Sequence, residues 1–373
     1  MKNAIFPLLR LGLDNSFTDK ENLSDFIMMT ETQWEGLGDL ARHQGVLGIM
    51  LDGVEQLNTE RCGATRELKA NLKLTWIGEV MLIEQSYHRQ KDVMNDLSKK
   101  WKDNGCRVMI MKGHANAILY PNPKHRNPGD IDCYLINDDD NHNHNENAYQ
   151  IGNQVAQEAG AKVDESWYKH SVISYKGETF ENHQYFVHTR EGKRSKELEK
   201  ELEKALDVEE SKFKQLTAFT VMPPVQWTAM FLTYHACAHF LTEGLRLKQV
   251  LDWAMFLKAH QSDVNWEKFY AFCERYHLRL FAETITAICS EYLGVEISNS
   301  CIVKDSVYTE KVLNSILYDD DYIYSESEGG WKEKWHIIRN LFHYRWKYEE
   351  IYNESVWKQL WYYASGYLFK TEN

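Results

Sequence analysis

The sequence lacks the signals of an exported or membrane-spanning protein. Nowhere do about 18 apolar residues run together, which is the length that a membrane-spanning helix needs. The first apolar run covers only residues 4–9 before Arg10, which is shorter than the hydrophobic segment of a signal peptide. The seven cysteines show no CxxC spacing, and this favours reduced, mostly buried thiols over a disulfide or zinc framework. We therefore predict a cytoplasmic protein that has no membrane partner.

The sequence also lacks an excess of basic residues. Lys and Arg number 43 against 55 Asp and Glu, which gives a formal net charge of -12 at pH 7. Proteins dedicated to nucleic acids usually carry a basic face that neutralises phosphates, so long nucleic acid is the least favoured partner. Apolar residues make up 43% of the 373 positions, which is ample for a packed core and for two domains of ordinary size.

The chain divides into a helical start, a mixed middle and a helical end. Apolar residues recur at steps of three and four over residues 76–101, which predicts a long amphipathic helix. Pro223 and Pro224 then begin a second helical region, with a further helix over about 247–259. We predict three parts: an N-terminal helical segment at 1–103, an α/β core at 104–220 and a C-terminal helical domain at 221–373. Five tryptophans near the end are predicted to lie mostly in the core of a helical bundle: Trp331, Trp335, Trp346, Trp357 and Trp361.

The middle segment contains the strand candidates. Residues 107–111 read as a short buried strand, and a helical run through Leu119 follows it. The segment 120–128 contains three prolines and is predicted to be a loop. Residues 171–176 and 179–188 form a plausible hairpin around Gly177. The polar stretch 137–147 is predicted to be a solvated loop.

The GlyAspIleAsp stretch at 129–132 carries the clearest chemical signal. Alternate residues of a strand point to the same face, so Asp130 and Asp132 lie side by side while Ile131 and Cys133 face the opposite way. Two adjacent carboxylates repel each other, and a cation is therefore expected between them. Hard oxygen ligands favour Mg²⁺ or Mn²⁺, which indicates phosphate chemistry.

A two-metal phosphoryl or nucleotidyl transfer site needs a third carboxylate. Glu181 is the best candidate because its strand could pair beside the Asp130–Asp132 strand, and it shares a face with His183 and Tyr185. Glu178 lies in the turn and competes only if the register is shifted.

Phosphate binding also needs a glycine turn at a helix start, where free N–H groups and the helix dipole favour anions. Lys112 and Gly113 occupy that position after the 107–111 strand. Lys112 could neutralise a phosphate, and Arg126 could add a second positive charge.

The order strand, LysGly, helix, TyrPro, Arg, GlyAspIleAsp, strand resembles the uncharacterised nucleotidyltransferases of the DNA polymerase beta superfamily. Later segments look like this family too: HisSerValIleSer from His170, GluAsnHis at 181–183, HisAlaCysAlaHis at 235–239 and GlyLeuArgLeuLysGlnValLeuAspTrp at 244–253. The resemblance covers roughly residues 35–258. It implies an α+β, helix-rich fold in which a small mixed sheet is flanked by the two helical segments.

The resemblance also implies the roles of particular residues. Asp130, Asp132 and Glu181 would be the catalytic metal ligands. The nucleotide would lie beside five residues of the phosphate turn and the loop before the acidic pair: Lys112, Gly113, His114, Arg126 and Gly129. Two positions depart from the superfamily pattern, because His114 stands where Ser or Thr usually follows the glycine and Glu181 stands where Asp is usual.

These features predict a metal-dependent nucleotidyltransferase that transfers an NMP from an NTP to a hydroxyl acceptor and releases pyrophosphate. A nucleotide-binding protein with altered catalysis on the same fold is the alternative that His114 favours. An AspXxxAsp glycosyltransferase would need a larger nucleotide-binding sheet before residue 129, and the mostly helical first hundred residues speak against it. A small metabolite, a sugar, a protein hydroxyl and an RNA end all fit as acceptor, and the sequence specifies neither the NTP nor the oligomeric state.

His235 and His239 are spaced i and i+4, a spacing that zinc sites use. The Glu that a zinc-protease motif requires is missing from the sequence between them. We therefore predict a buried histidine pair hydrogen-bonded to neighbours such as Arg246 or Asp252.

Overall fold

The computed structural model describes residues 2–13, 26–60, 68–137, 145–189, 192–208, 212–318 and 331–368. Helices dominate both ends of the chain, and the strands lie in the middle. The helices are α1 (Lys2–Leu13), α2 (Glu31–His43), α3 (Leu47–Glu60), α4 (Ala70–Asp103), α5 (His114–Ala117), α6 (Asn145–Glu158), α7 (Lys193–Val208), α8 (Val225–Thr242), α9 (Leu247–His260), α10 (Trp266–Arg275), α11 (Arg279–Glu291), α12 (Thr309–Tyr318), α13 (Trp331–His343) and α14 (Val356–Leu368).

Seven strands form one mixed sheet in the order β3-β4-β5-β2-β1-β7-β6. They are β1 (Cys106–Ile110), β2 (Ile131–Asn137), β3 (Lys162–Asp164), β4 (His170–Tyr175), β5 (Glu178–His183), β6 (Lys214–Gln215) and β7 (Thr220–Met222). Strand β2 is central, antiparallel to β1 and parallel to β5. The α+β prediction is confirmed, with the sheet between the two helical segments along the chain.

The local signals in the sequence account for most of these elements. The predicted long helix is present as α4, and it ends at Asp103 because Gly105 turns the chain with a φ of +77°. The hairpin predicted around Gly177 is formed by β4 and β5, with Gly177 at a φ of +82°. Two elements end earlier than predicted, α5 at Ala117 instead of Leu119 and β5 at His183 instead of 188, and the strands predicted at 107–111 and 171–176 each lie one residue earlier. The predicted loop at 120–128 contains one 3₁₀ turn, at Pro123–His125.

The two faces of the sheet pack against different helices. Val108, Cys133 and Leu135 join a core cluster with residues of α4 and α6. On the other face, Met109 and Tyr134 join a larger cluster that contains residues of both the N-terminal and C-terminal helices. The alternation predicted for the 131–135 strand is therefore present. The predicted domain boundaries at 103/104 and 220/221 stay a prediction.

The prediction for the C-terminal tryptophans was wrong for three of the five. The exposed fractions of Trp335, Trp357 and Trp361 are 69%, 65% and 67%. Helices α13 and α14 bury other residues, among them Leu341 and Val356, and these three tryptophans lie outside the buried face of their helices. Trp346 packs partly buried against the core, and the side chain of Trp331 lies outside the described residues.

Six of the seven cysteines lie in the described part of the chain, and none of these six forms a disulfide. Five are buried and Cys301 is exposed. No helix among the described ranges has the length and apolar character needed to cross a membrane. The predicted loop at 137–147 has most of its residues, 138–144, outside the described ranges.

The loop that leads to the acidic pair is fastened to two helices by one histidine. His125 Nδ1 lies 2.8 Å from Asp52 of α3, and its Nε2 lies 2.9 Å from Glu84 of α4. Burial alone would lower the pKa of His125, but these two carboxylates outweigh burial and raise it. The charged imidazole therefore ties the loop to both helices.

We expect His125→Gln to lower the free energy of unfolding more at about pH 6 than at about pH 9, by on the order of 1 kcal/mol. Because the pKa of His125 is raised in the folded protein, its stabilising effect is full below the unfolded pKa and is lost as the pH rises through the folded one. Urea unfolding of the wild type and the variant at both pH values measures the difference. His88→Gln, at an exposed histidine of α4, is the control; an equal cost of His125→Gln at both pH values would contradict the prediction.

Candidate active site

Two of the three predicted acids face each other across neighbouring strands. The parallel register of β2 and β5 places Asp132 opposite Glu181, so both side chains lie on the same face of the sheet. On the opposite face of β5, Asn182 Nδ2 donates to Asn153 Oδ1 of α6 at 2.9 Å, which joins the strand to that helix. A slip by one residue would send Glu181 to that opposite face. Glu178, the alternative third acid, lies opposite Tyr175 at the hairpin turn and pairs with Arg89.

Asp132 is nearly inaccessible, with an exposed fraction of 2%, and two cationic groups hold it. Lys112 Nζ lies 2.5 Å from Asp132 Oδ2, and His183 Nε2 lies 3.4 Å from Asp132 Oδ1. Burial alone would raise the pKa of Asp132, but Lys112 and His183 hold it well below its usual range. Asp132 Oδ2 has an ion pair but no well-aligned hydrogen bond to any residue of the described chain. The two cationic groups therefore hold the carboxylate in its ionised form.

Asp130 lies just before β2, at the mouth of a cleft. Burial and the nearby charges of Glu181 and Asp132 raise its pKa, which is the electrostatic signature of crowded carboxylates. The cleft has a volume of about 370 Å³ and runs between α4, the loop at 127–130 and the hairpin turn at 177–179. This volume is in the range of small-molecule sites. A cation between the acids would relieve their repulsion.

The predicted phosphate turn lies beside Asp130. Gly113 has a φ of +66°, which only glycine adopts readily, and a Cβ there would lie 3.9 Å from the Asp130 carbonyl oxygen. His114 points into the protein, with its Nε2 3.2 Å from Gln90 Oε1, and burial lowers its pKa to about 4. Gln90 also donates to the Gly129 carbonyl oxygen at 2.9 Å. The neutral imidazole of His114 thus helps to hold the turn and the 129–130 loop together.

Arg126 forms a buried, bidentate ion pair. Arg126 Nε lies 2.7 Å from Oδ1 of Asp252 on α9, and Arg126 Nη2 lies 2.7 Å from Oδ2 of the same residue. Asp252 also accepts from Tyr120 at 2.7 Å and from Asn116 at 3.1 Å. The phosphate contact expected of Arg126 stays a prediction, and the pair joins the 120–128 loop to the C-terminal helices.

Two lysines near the acids were missed in the sequence reading. Lys248 Nζ lies 3.6 Å from the point that a Cβ on Gly129 would occupy, and burial together with Arg126 lowers its pKa to about 8. The pKa of Lys169 is lowered by burial, which the charges of Glu181 and Asp132 oppose. Neither lysine lies close in sequence to the three predicted metal ligands. The only signal for Lys248 was its place within the 244–253 motif.

Two histidines beside Glu181 were also not assigned from the sequence. His170 lies opposite His183 in the β4–β5 hairpin. His183 Nε2 is 3.2 Å from Glu181 Oε2, and His170 Nε2 is 3.6 Å from Glu181 Oε1. The turn at Gly177 held the signal, because it fixes which residues of the two strands are opposite each other.

The second histidine pair lies on α8. His239 Nε2 is 3.1 Å from His235 Nε2, and His239 Nδ1 is 3.1 Å from Glu243. These partners differ from the two named from the sequence, since Asp252 is taken by Arg126. Burial and the charge of Lys112 lower the pKa of His235, and the charge of Asp132 opposes this shift. Both histidines are half-buried, so the predicted full burial of the pair was wrong.

A mixed sheet that brings an AspXxxAsp pair, an acid on the next strand and a lysine close together has a site of the kind expected for nucleotidyl transfer. A family model described as "Uncharacterised nucleotidyltransferase" matches residues 30–294, and the resemblance read at 35–258 lies inside that range. The chain belongs to this family. No curated protein and no solved structure matches it.

Proposed function

We propose that the protein is a metal-dependent nucleotidyltransferase that transfers an NMP from an NTP to a hydroxyl acceptor. The observation that supports this most is the parallel register that puts Glu181 opposite Asp132, with Asp130 two residues before it. Three neighbouring carboxylates are the donor set that a two-metal transfer site needs. The membership of the family supports the general class of reaction.

The residues fit a hard divalent ion. Asp130, Asp132 and Glu181 offer carboxylate oxygens, the ligands that Mg²⁺ and Mn²⁺ prefer. The charges of Glu181 and Asp132, which together with burial raise the pKa of Asp130, support a cation between the acids. When bound, the metal would supply positive charge to the triphosphate.

Phosphate binding and proton transfer are carried out by groups of the protein itself. The triphosphate lies beside the acids, with Lys112 and the N–H groups at Gly113 and His114 on its phosphates. Glu181 orients the acceptor hydroxyl and accepts its proton, the hydroxyl oxygen attacks the α-phosphorus, and pyrophosphate leaves. Lys248, beside Gly129, adds a charge on the leaving phosphates that the sequence reading did not include.

Binding and product formation test this function separately. Calorimetry with each of the four NTPs, in Mg²⁺ and in EDTA, should show binding of at least one NTP only when Mg²⁺ is present. Small molecules extracted from cells are then added as acceptors. Pyrophosphate release and the mass of the nucleotidylated product are measured for each pool. No binding of any NTP in Mg²⁺ would contradict the proposal.

The alternative is a protein that binds the nucleotide without transferring it. His114 favours it, because the side chain after Gly113 is engaged with Gln90 and offers no hydroxyl to a phosphate. Metal-dependent binding without pyrophosphate release in any acceptor pool would support this alternative.

We expect Lys248→Met to weaken Mg²⁺-dependent NTP binding about tenfold or more, the loss of one charge-assisted contact to phosphate. The helix should tolerate methionine, since Lys248 is in the first turn of α9 and Met is a good helix former. Lys268→Met, at an exposed lysine of α10, is the matched control. Equal affinity of the Lys248→Met variant and the wild type would remove Lys248 from the site.

A further inference from the structure

The β4–β5 hairpin brings two imidazoles and a carboxylate together beside the acidic pair. One ligand atom from each of His170, Glu181 and His183 lies within 4.8 Å of the other two. The two histidines face each other across the hairpin, and Glu181 turns one oxygen toward each of them. The three side chains thus surround one point above β4 and β5.

The separations of these atoms suit a single small ion. Two ligands that are each about 2.1 Å from one tetrahedral ion lie about 3.4 Å apart. His183 Nε2 is 3.2 Å from Glu181 Oε2, and His170 Nε2 is 3.6 Å from Glu181 Oε1. Asp132 Oδ1, at 3.4 Å from His183 Nε2, lies at the same spacing on the other side.

The hydrogen bonds of the histidines also suit metal binding. His183 Nδ1 lies 3.1 Å from the Tyr185 carbonyl oxygen and donates to it, so a metal would replace only the proton on Nε2, which faces Glu181 and Asp132. Metal-binding histidines nearly always have such a partner on the other nitrogen. His170 has no hydrogen bond from either nitrogen to a described residue: its Nδ1 is buried without a partner, and its Nε2 faces Glu181 beyond hydrogen-bond distance. Because Nε2 is the nitrogen that faces Glu181, it is the atom of His170 that would bind the metal.

We infer that His170, Glu181 and His183 form a site for a divalent transition metal ion such as Zn²⁺, distinct in chemistry from the Mg²⁺ position at Asp130 and Asp132. Imidazole nitrogens suit Zn²⁺ and its neighbours in the first row, whereas Mg²⁺ prefers oxygen ligands. The inference deepens the proposed function, because the two metal positions share Glu181. In every other respect the inferred site does not depend on that function. The ion lies over β4 and β5, one strand away from the Asp130–Asp132 pair.

Metal binding by the full chain, without nucleotide, tests the inference. Competition against a chromophoric chelator should give one Zn²⁺ per chain, bound far more tightly than Mg²⁺. Co²⁺ in its place should give visible ligand-field absorption bands. His170→Gln should lower the Zn²⁺ affinity at least about tenfold and remove the Co²⁺ bands, since it deletes one of three ligands.

Two further variants keep the result interpretable. His88→Gln, at an exposed histidine of α4, should bind Zn²⁺ like the wild type. His239→Gln tests whether the ion sits at the His235–His239 pair instead. The inference is overturned if His170→Gln binds Zn²⁺ like the wild type, if only His239→Gln loses the ion, or if the wild type prefers Mg²⁺. Loss of NTP binding in Mg²⁺ with intact Zn²⁺ binding would count against the proposed function alone.

Discussion

Asp132→Asn is expected to abolish Mg²⁺-dependent NTP binding, with an affinity at least about 100-fold below that of the wild type. Outer partners of a metal site already cost about 10- to 100-fold when removed, and Asp132 is an inner ligand in the proposed site. The substitution preserves the shape of the side chain but removes the charge that Lys112 and His183 hold in place. Calorimetric titration of the preferred NTP in Mg²⁺ measures the loss.

The matched control is Asp103→Asn, at an exposed acid near the end of α4. It should bind nucleotide like the wild type. Because Asp132 is buried, the fold of the Asp132→Asn variant is checked by near-ultraviolet circular dichroism. A folded variant that binds the NTP with wild-type affinity would contradict the acidic site itself.

Arg126→Met is expected to lower the free energy of unfolding by about 3–5 kcal/mol, the cost of leaving a buried charge without its partner. Both carboxylate oxygens of Asp252 lose a 2.7 Å contact, and the charge stays enclosed between Tyr120 and Asn116. Urea unfolding measures the change. Lys124→Met, at a partly exposed neighbour in the same loop, should cost no more than about 1 kcal/mol.

The double variant Arg126→Met with Asp252→Leu separates the charge from the packing. It should be more stable than Arg126→Met alone, because no buried charge is then left unpaired. A cost of Arg126→Met below about 1 kcal/mol would contradict the structural role of the pair. The NTP affinity of the folded Arg126→Met protein, measured in the same preparations, tests the phosphate contact predicted from the sequence.

The sequence could predict the acids on β2 and β5 because strand geometry is local. Alternation places Asp130 and Asp132 on one face and the apolar residues between them on the other, and the two packed faces of the sheet agree with this. The choice of Glu181 over Glu178 depended on a strand pairing that the sequence only suggested, and the register of β2 and β5 now pairs Glu181 with Asp132.

The remainder of the site depends on contacts between distant segments, which a periodic pattern does not encode. Lys248 comes from α9 and meets Gly129 only because α9 packs beside the 120–128 loop through Asp252 and Arg126. The prediction that the C-terminal tryptophans are buried was wrong for a related reason, since residue type alone does not show which side of a helix packs against the core. The proximity of His170 and His183 could have been predicted, because the turn at Gly177 places them opposite each other in the hairpin.

The parallel pairing of β2 with β5 has a consequence for the order of folding. Parallel neighbours need a crossover, and here α6, β3 and β4 lie in the chain between β2 and the strand that carries the third acid. A chain that has formed only the β1–β2 pair therefore holds Asp130 and Asp132 without Glu181 or either hairpin histidine. A ligand that binds only the complete fold would stabilise it by RT ln(1 + [L]/Kd), so the proposed metal and nucleotide would each raise the free energy of unfolding with the logarithm of their concentration.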